Sequence, residues 1–129
     1  MNAFNGASRW QPQALAILRI VTGLTFLAHG LVKLIGFPAG AEPGQQELMT
    51  LLGVGSVLET VGGALIILGL FTRPTAFVLS GMMAVAYWMF HAPSSPYPVI
   101  NGGDAAILYC FIFLYFVTSG PGAWSLDKR

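Results

Sequence analysis

The sequence predicts an all-α polytopic membrane protein, a bundle of four transmembrane helices with both termini in the cytoplasm. Three observations lead there. The first is composition: of 129 residues, 55% are hydrophobic and 9% charged, whereas a soluble domain carries roughly 25% charged residues. That leaves too little polar surface to cover a globule in water, so lipid must be the solvent for much of it. The second is length. Apolar stretches at 13–35, 48–70, 74–92 and 103–119 approach the roughly 20 residues needed to cross a hydrocarbon core about 30 Å thick. The third is where the basic residues fall, taken up below. The linkers leave no room for a soluble domain, so residues 1–129 read as a single membrane domain.

The first span follows a polar dozen residues that include Arg9 and Trp10. Its apolar run exceeds the roughly 7–15 residues of a signal-peptide core and continues past Arg19, so it reads as uncleaved. Phe37-Pro38-Ala39-Gly40-Ala41-Glu42-Pro43-Gly44 ends it, because proline and glycine do not continue a helix. Thr72-Arg73-Pro74 is a tight turn between spans two and three, with Pro74 suited to a helix start. Proline-rich residues 92–98 form the third connection. Asn101-Gly102-Gly103 leads into span four, and Gly120-Pro121-Gly122 ends it.

Four crossings place both termini on one side, and the positive-inside rule selects which. Arg9, Arg73, Lys128 and Arg129 fall at the termini and the middle turn. The first outer loop carries Glu42 and Glu47 with Lys33 at its border, and the last loop has no Lys or Arg. The termini are therefore expected in the cytoplasm. Small residues recur every seven positions, Ala16, Gly23 and Gly30 in span one and Gly55, Gly62 and Gly69 in span two. Small residues let membrane helices approach closely, and heptad spacing favours left-handed crossings of about 20°.

Ionisable residues at membrane depth each cost at least ~2.5 kcal/mol at a helix centre, so they normally face the bundle interior. Span one carries Arg19, His29 and Lys33 within an arc of about 80° at 100° per residue. Span two carries Glu59 near its midpoint. A buried ion pair between Arg19 and Glu59 is expected, with His29 the other candidate partner. By depth, His29, Lys33, His91, Asn101 and Asp104 converge on one layer from four stretches of sequence. That predicts a polar pocket opening to the outer face, with Tyr87 and Trp88 as its walls.

Each residue also has a structural explanation. Lys33 can snorkel to the interface, and Asp104 can complement the dipole of its helix. His91 can cap carbonyls at a helix end, and Tyr87 and Trp88 can belong to an interfacial aromatic belt. His29 is the hardest to explain as packing, since an apolar span gains nothing from an imidazole. The single cysteine, Cys110, allows neither an intrachain disulfide nor a CxxC pair. No basic run points to nucleic acid.

The stretches Leu18-Arg19-Ile20-Val21-Thr22-Gly23, Phe26-Leu27-Ala28-His29-Gly30, Lys33-Leu34, Glu59-Thr60-Val61-Gly62-Gly63 and Leu68-Gly69-Leu70-Phe71-Thr72-Arg73 belong together with His91, Asn101-Gly102-Gly103-Asp104 and Gly120-Pro121-Gly122-Ala123-Trp124-Ser125-Leu126-Asp127. In this set the chain resembles the DoxX family of small bacterial four-helix membrane proteins over nearly its whole length. Asp104 stands where many members carry glutamate, which shortens the reach of the carboxylate by one methylene. The resemblance implies a bacterial inner-membrane protein with a redox or quinone connection. Related proteins are described as the small membrane subunit of a thiosulfate:quinone oxidoreductase and as membrane partners in redox-stress complexes.

Two functions follow from these residues. In the first, the chain is a subunit or partner of a quinone-linked oxidoreductase complex. His29, Lys33 and His91 donate hydrogen bonds to a quinone, Asp104 and Glu59 relay protons, and a partner supplies electrons, since no intrinsic cofactor motif is present. In the second, it is a non-enzymatic accessory or assembly subunit, and the buried charges only lock the bundle. Haem ligation by His29 and His91, and a metal site from His29, His91 and Asp104, rank below both. Lipid, other membrane or redox proteins and further copies of the chain are the expected partners. No catalytic residue is assigned.

Overall fold

Lipid-facing apolar sequence and glycine punctuation produce an all-helical chain. The computed structural model describes residues 2–127, and no strand occurs among them. Short 3-10 turns at Asn2–Phe4 and Ala7–Trp10 precede α1, Gln11–Ile35. Then come α2 (Leu51–Leu68), α3 (Thr72–Ala86), the four-residue α4 (Pro98–Asn101) and α5 (Asp104–Ser119). Beyond α3 the helix widens into a π segment, Tyr87–His91, and closes with a 3-10 turn, Ala92–Ser94. Among the described residues, three continuous helical stretches are long and apolar enough to cross a membrane: Ala7–Ile35, Leu51–Leu68 and Thr72–Ser94. The helix Asp104–Ser119 is apolar but shorter.

Local chemistry sets the ends. Pro12 lies in the first turn of α1, and Gly36 closes that helix at φ 71°, its N–H reaching back into the last turn. Only a residue without a Cβ adopts that left-handed geometry without penalty. The Thr50 hydroxyl accepts from Gly53 N–H at 3.0 Å, an N-cap that opens α2.

The chain divides into two compact units. One runs up to Thr72 and takes in the segment from Pro121; the other is residues 73–120. In the first, α1 and α2 form a tight antiparallel pair. A Cβ on Gly23 would stand 2.7 Å from Ile67 Cγ1, and one on Gly30 would stand 2.8 Å from Thr60 N. A Cβ on Gly63 would lie 3.0 Å from Leu27 Cα. The α1 seam is therefore as the heptad predicts. On α2 the seam differs from the expected Gly55-Gly62-Gly69 line. Gly55 has nothing within 4 Å of its Cβ position, and the residues that meet α1 are Glu59, Thr60, Gly63 and Ile67.

In the second unit α3 packs against α5, also antiparallel. Ser80 Oγ donates to the Cys110 carbonyl at 2.7 Å. The Arg73 guanidinium donates to the Val117 and Thr118 carbonyls at 2.9 and 2.7 Å, serving the C-terminal end of α5. Ala76, Leu79, Met83, Phe113 and Phe116 are buried. Apolar side chains such as Ile17, Val21, Leu24, Phe77, Val85, Leu108 and Phe111 remain exposed. Lipid is the solvent that suits them.

Candidate functional site

Two polar centres are visible, one in each unit. In the first unit Arg19 is fully buried, yet Glu59 is not its partner, which corrects the pairing expected from sequence. Its Nη1 donates to the carbonyls of Pro121 and Ala123, and its Nη2 to the Trp124 carbonyl at 2.7 Å. Glu59 meets Lys33 instead, Oε1 to Nζ at 2.5 Å. The reason is register. In the antiparallel pair Lys33 comes level with Glu59, while Arg19 comes level with Gly69, ten residues or about 15 Å farther along α2. The Arg19 Cζ lies 3.1 Å from where a Gly69 Cβ would be.

The Arg19 partners belong to an irregular strap, Pro121–Asp127, laid along α1 and the end of α2. Ala123 N–H donates to the Pro12 carbonyl at 3.0 Å, Leu126 N–H to Leu68 at 3.1 Å and Asp127 N–H to Gly69 at 2.8 Å. The Asp127 carboxylate accepts from Phe71 N–H at 2.6 Å and Thr72 N–H at 3.0 Å. Burial opposes its charge, but the Thr72 hydroxyl, these two N–H groups and the Arg19 charge outweigh it and hold the carboxyl below its ordinary range. Lys128 and Arg129, used in the topology argument, lie outside the described residues.

The second centre sits where α3 gives way to its π segment. π turns occur often at functional sites. The rings of Tyr87 and His91 lie nearly parallel, 6.3 Å apart between centroids with a 24° interplanar angle. Asn101, buried at 9% exposure, ties them together. Its Nδ2 donates to Tyr87 Oη at 3.0 Å and to the Ser95 carbonyl at 2.9 Å. Its Oδ1 accepts from Gly103 N–H at 2.8 Å, and its backbone carbonyl bonds His91 Nδ1 at 3.1 Å. Trp88 meets Tyr87 edge-on at 5.4 Å but is 70% exposed.

Of the expected outer pocket, His91, Asn101 and Tyr87 are therefore joined in one hydrogen-bonded group. Lys33 is engaged with Glu59. Asp104 is exposed at the first turn of α5, and His29 is exposed on α1. Among the described residues, no group of three or more His, Cys, Asp or Glu side chains is gathered to hold a metal ion. A cleft at the end of α1 is lined by Leu34, Ile35, Gln45, Gln46, Glu47 and Leu48, none of them a candidate.

A family-wide sequence profile, DoxX, matches residues 14–92. The chain belongs to the DoxX family. The DoxX match takes in Arg19, His29, Lys33, Glu59, Tyr87, Trp88 and His91 and stops short of Asn101 and the strap. An uncharacterized protein of Haemophilus influenzae is 43% identical over 97% of this chain and 96% of its own length. The inner membrane protein YphA of Escherichia coli is 33% identical, covering 96% of this chain and 94% of YphA. An uncharacterized membrane protein of Mycobacterium tuberculosis is 31% identical over 92% of this chain and 82% of its own. No solved structure matches the chain significantly. Family, relatives and apolar helices together make this DoxX protein a multi-pass inner-membrane protein.

The strap and the roles of Ser95 and Gly103 went unread in the sequence. Asp127, five residues beyond the Gly120-Pro121-Gly122 stop, is the available signal for the strap. For Gly103 there was its place beside Asn101: a Cβ there would stand 2.5 Å from Tyr87 Cε1.

Proposed function

We propose that this DoxX protein is the membrane subunit of a quinone-linked oxidoreductase complex, supplying a quinone site while a partner supplies the electrons. The observation that carries the reading is the Tyr87–His91–Asn101 group. It offers a phenol and an imidazole, the hydrogen-bonding groups that ring oxygens of a quinone require. Exposed Trp88, Met89 and Phe90 beside it suit a ligand that arrives from lipid. A quinone–hydroquinone pair fits these groups; bound there, it would supply the two-electron chemistry, with Tyr87 donating to one ring oxygen and His91 facing the other.

The chain is further proposed to cross the membrane four times. The fourth crossing is Asp104–Ser119, and Arg9, Arg73 and both termini lie in the cytoplasm. Reporter fusions after residues 40, 73, 96 and 127 test this; cytoplasmic signal at 73 and 127 only is the expected pattern.

The test of function is purification in mild detergent, with lipid, protein and metal analysis of wild type and His91→Ala. Quinone retained by the wild type and lost from the variant supports the reading. Quinone absent from both, with a stoichiometric partner unaffected by the substitution, favours a second reading, an accessory or assembly subunit. One observation speaks for that second reading: Arg19 and the Lys33–Glu59 pair are occupied with interactions that hold the first unit together.

A further inference from the structure

The hydrogen-bond chain around Asn101 has a direction, and it can be followed atom by atom. Gly103 N–H can only donate, so the Asn101 side-chain atom facing it at 2.8 Å is the oxygen. The Ser95 carbonyl can only accept, so the atom facing it at 2.9 Å is the amide nitrogen. Both ends agree, and the amide cannot be flipped without breaking two bonds. The same nitrogen donates to Tyr87 Oη at 3.0 Å, which leaves the phenolic hydrogen to be donated elsewhere. The Asn101 backbone carbonyl can only accept, so His91 carries its hydrogen on Nδ1, 3.1 Å away. In a neutral imidazole the other nitrogen then has a lone pair and no hydrogen. This reverses the donor role that the sequence suggested for His91.

From this polarity we infer that the site selects the reduced, hydroxyl-bearing form of a quinone-type ligand, with the Asn101 backbone carbonyl, which fixes the hydrogen on His91 Nδ1, setting the preference. The inference rests on the proposed quinone function. A hydroquinone hydroxyl has the hydrogen that His91 Nε2 needs. A quinone carbonyl presents only lone pairs to it, leaving both atoms unsatisfied. Tyr87 can donate to either form, so it adds affinity without choosing between them. The arrangement is held from both sides. Asn101 is buried, and Gly103 lies so close to the Tyr87 ring that a Cβ would stand 2.5 Å from Cε1 and 2.6 Å from Cδ1.

The experiment compares binding of a short-tailed ubiquinol and the matching ubiquinone, under anaerobic reducing and oxidising conditions respectively, to the full chain in lipid nanodiscs. The chain has three tryptophans, so a Trp10→Phe, Trp124→Phe background lets Trp88, 5.4 Å from Tyr87, provide the fluorescence readout. The quinol is expected to bind about tenfold or more tightly than the quinone. His91→Phe, which removes the accepting nitrogen, is expected to bring that ratio to about one, and Tyr87→Phe to weaken both ligands while keeping the ratio. A 15N spectrum of the imidazoles reads the tautomer directly. The chain has two histidines, so a His29→Gln background isolates the His91 signal, expected as the Nδ1–H form. Equal binding, a preference for quinone, or an Nε2–H tautomer in the wild type would overturn the selectivity. Failure of the wild type to bind either ligand would overturn the quinone function itself.

Discussion

Arg19 hydrogen-bonds to three carbonyls at once, all on a segment more than a hundred residues away in sequence. Arg19→Ala would leave those acceptors without donors inside the fold. Each charged bond of this kind is worth roughly 1.5–3 kcal/mol, so the substitution is expected to cost at least ~3 kcal/mol, read as a fall in unfolding midpoint in detergent. Lys33 and Glu59 are expected to behave differently. Glu59→Ala leaves the half-buried Lys33 ammonium unpaired and is expected to cost up to ~3 kcal/mol, whereas Lys33→Met with Glu59→Leu is expected to recover most of that. If the double variant is no better than the single one, the pair holds more than its own charges. Asp127 gives a pH signature. Its carboxyl titrates below the ordinary range when docked, so docking is favoured above the ordinary carboxylate pKa and lost as pH falls through the lower, docked value. Proteolysis of the strap is expected to accelerate in acid for the wild type, and Asp127→Asn to show no such acid-dependent change.

At the scale of elements, the helices were the most legible part of the sequence. Apolar length and glycine or proline punctuation brought the ends of the first, second and fourth expected spans to within three residues of α1, α2 and α5, because those signals are local. By contrast, α3 ends at Ala86, six residues before the expected 92, where the π segment begins. Gly36 and Gly69 close helices in left-handed geometry, which is also a local demand. Pairing was less legible. The seven-residue recurrence of Ala16, Gly23 and Gly30 marked the right face of α1, but the face α2 turns to α1 depends on register, and register is set by a loop whose path composition does not encode. Hence sequence spacing alone puts Gly55 on the seam and pairs Arg19 with Glu59, and the fold does neither. Two substitutions test the seam as it stands. Gly30→Ala places a Cβ 2.8 Å from a backbone nitrogen and is expected to push α1 from α2 and lower stability. Gly55→Ala meets nothing within 4 Å and is expected to raise stability by ~0.5–1 kcal/mol through helix propensity. Equal effects on unfolding would count against the packing described.

For the whole molecule, composition alone placed the chain in lipid, since no arrangement of 9% charged residues covers a water-exposed surface. The candidate site was legible only in part. His91, Asn101 and Tyr87 stood out as polar groups at a span end, but the direction of their bonds depends on Ser95, Gly103 and a backbone carbonyl, which carry no signature of their own. Deleting residues 121–127 is expected to be more damaging than any single loop change, because it removes every acceptor shown for Arg19. The readout is the fraction of protein recovered folded from membranes, with Arg19→Ala as the comparison. If the truncation is recovered as well as the wild type, the strap is dispensable.

The dependence of Arg19 on the strap also gives biogenesis an order. Ribosomes make the first span early, and the nearest of the three carbonyls follows 102 positions later. Throughout the intervening elongation a guanidinium destined for the protein interior stands without its acceptors, at a depth where lipid offers none. The first span must therefore wait, in the insertion machinery or drawn toward the interface, until residues 121–124 emerge and thread into place. Assembly of this protein is sealed by its strap, so a ribosome that stalls just short of residue 121 would leave a chain with all its described helices made and the charge of Arg19 still open.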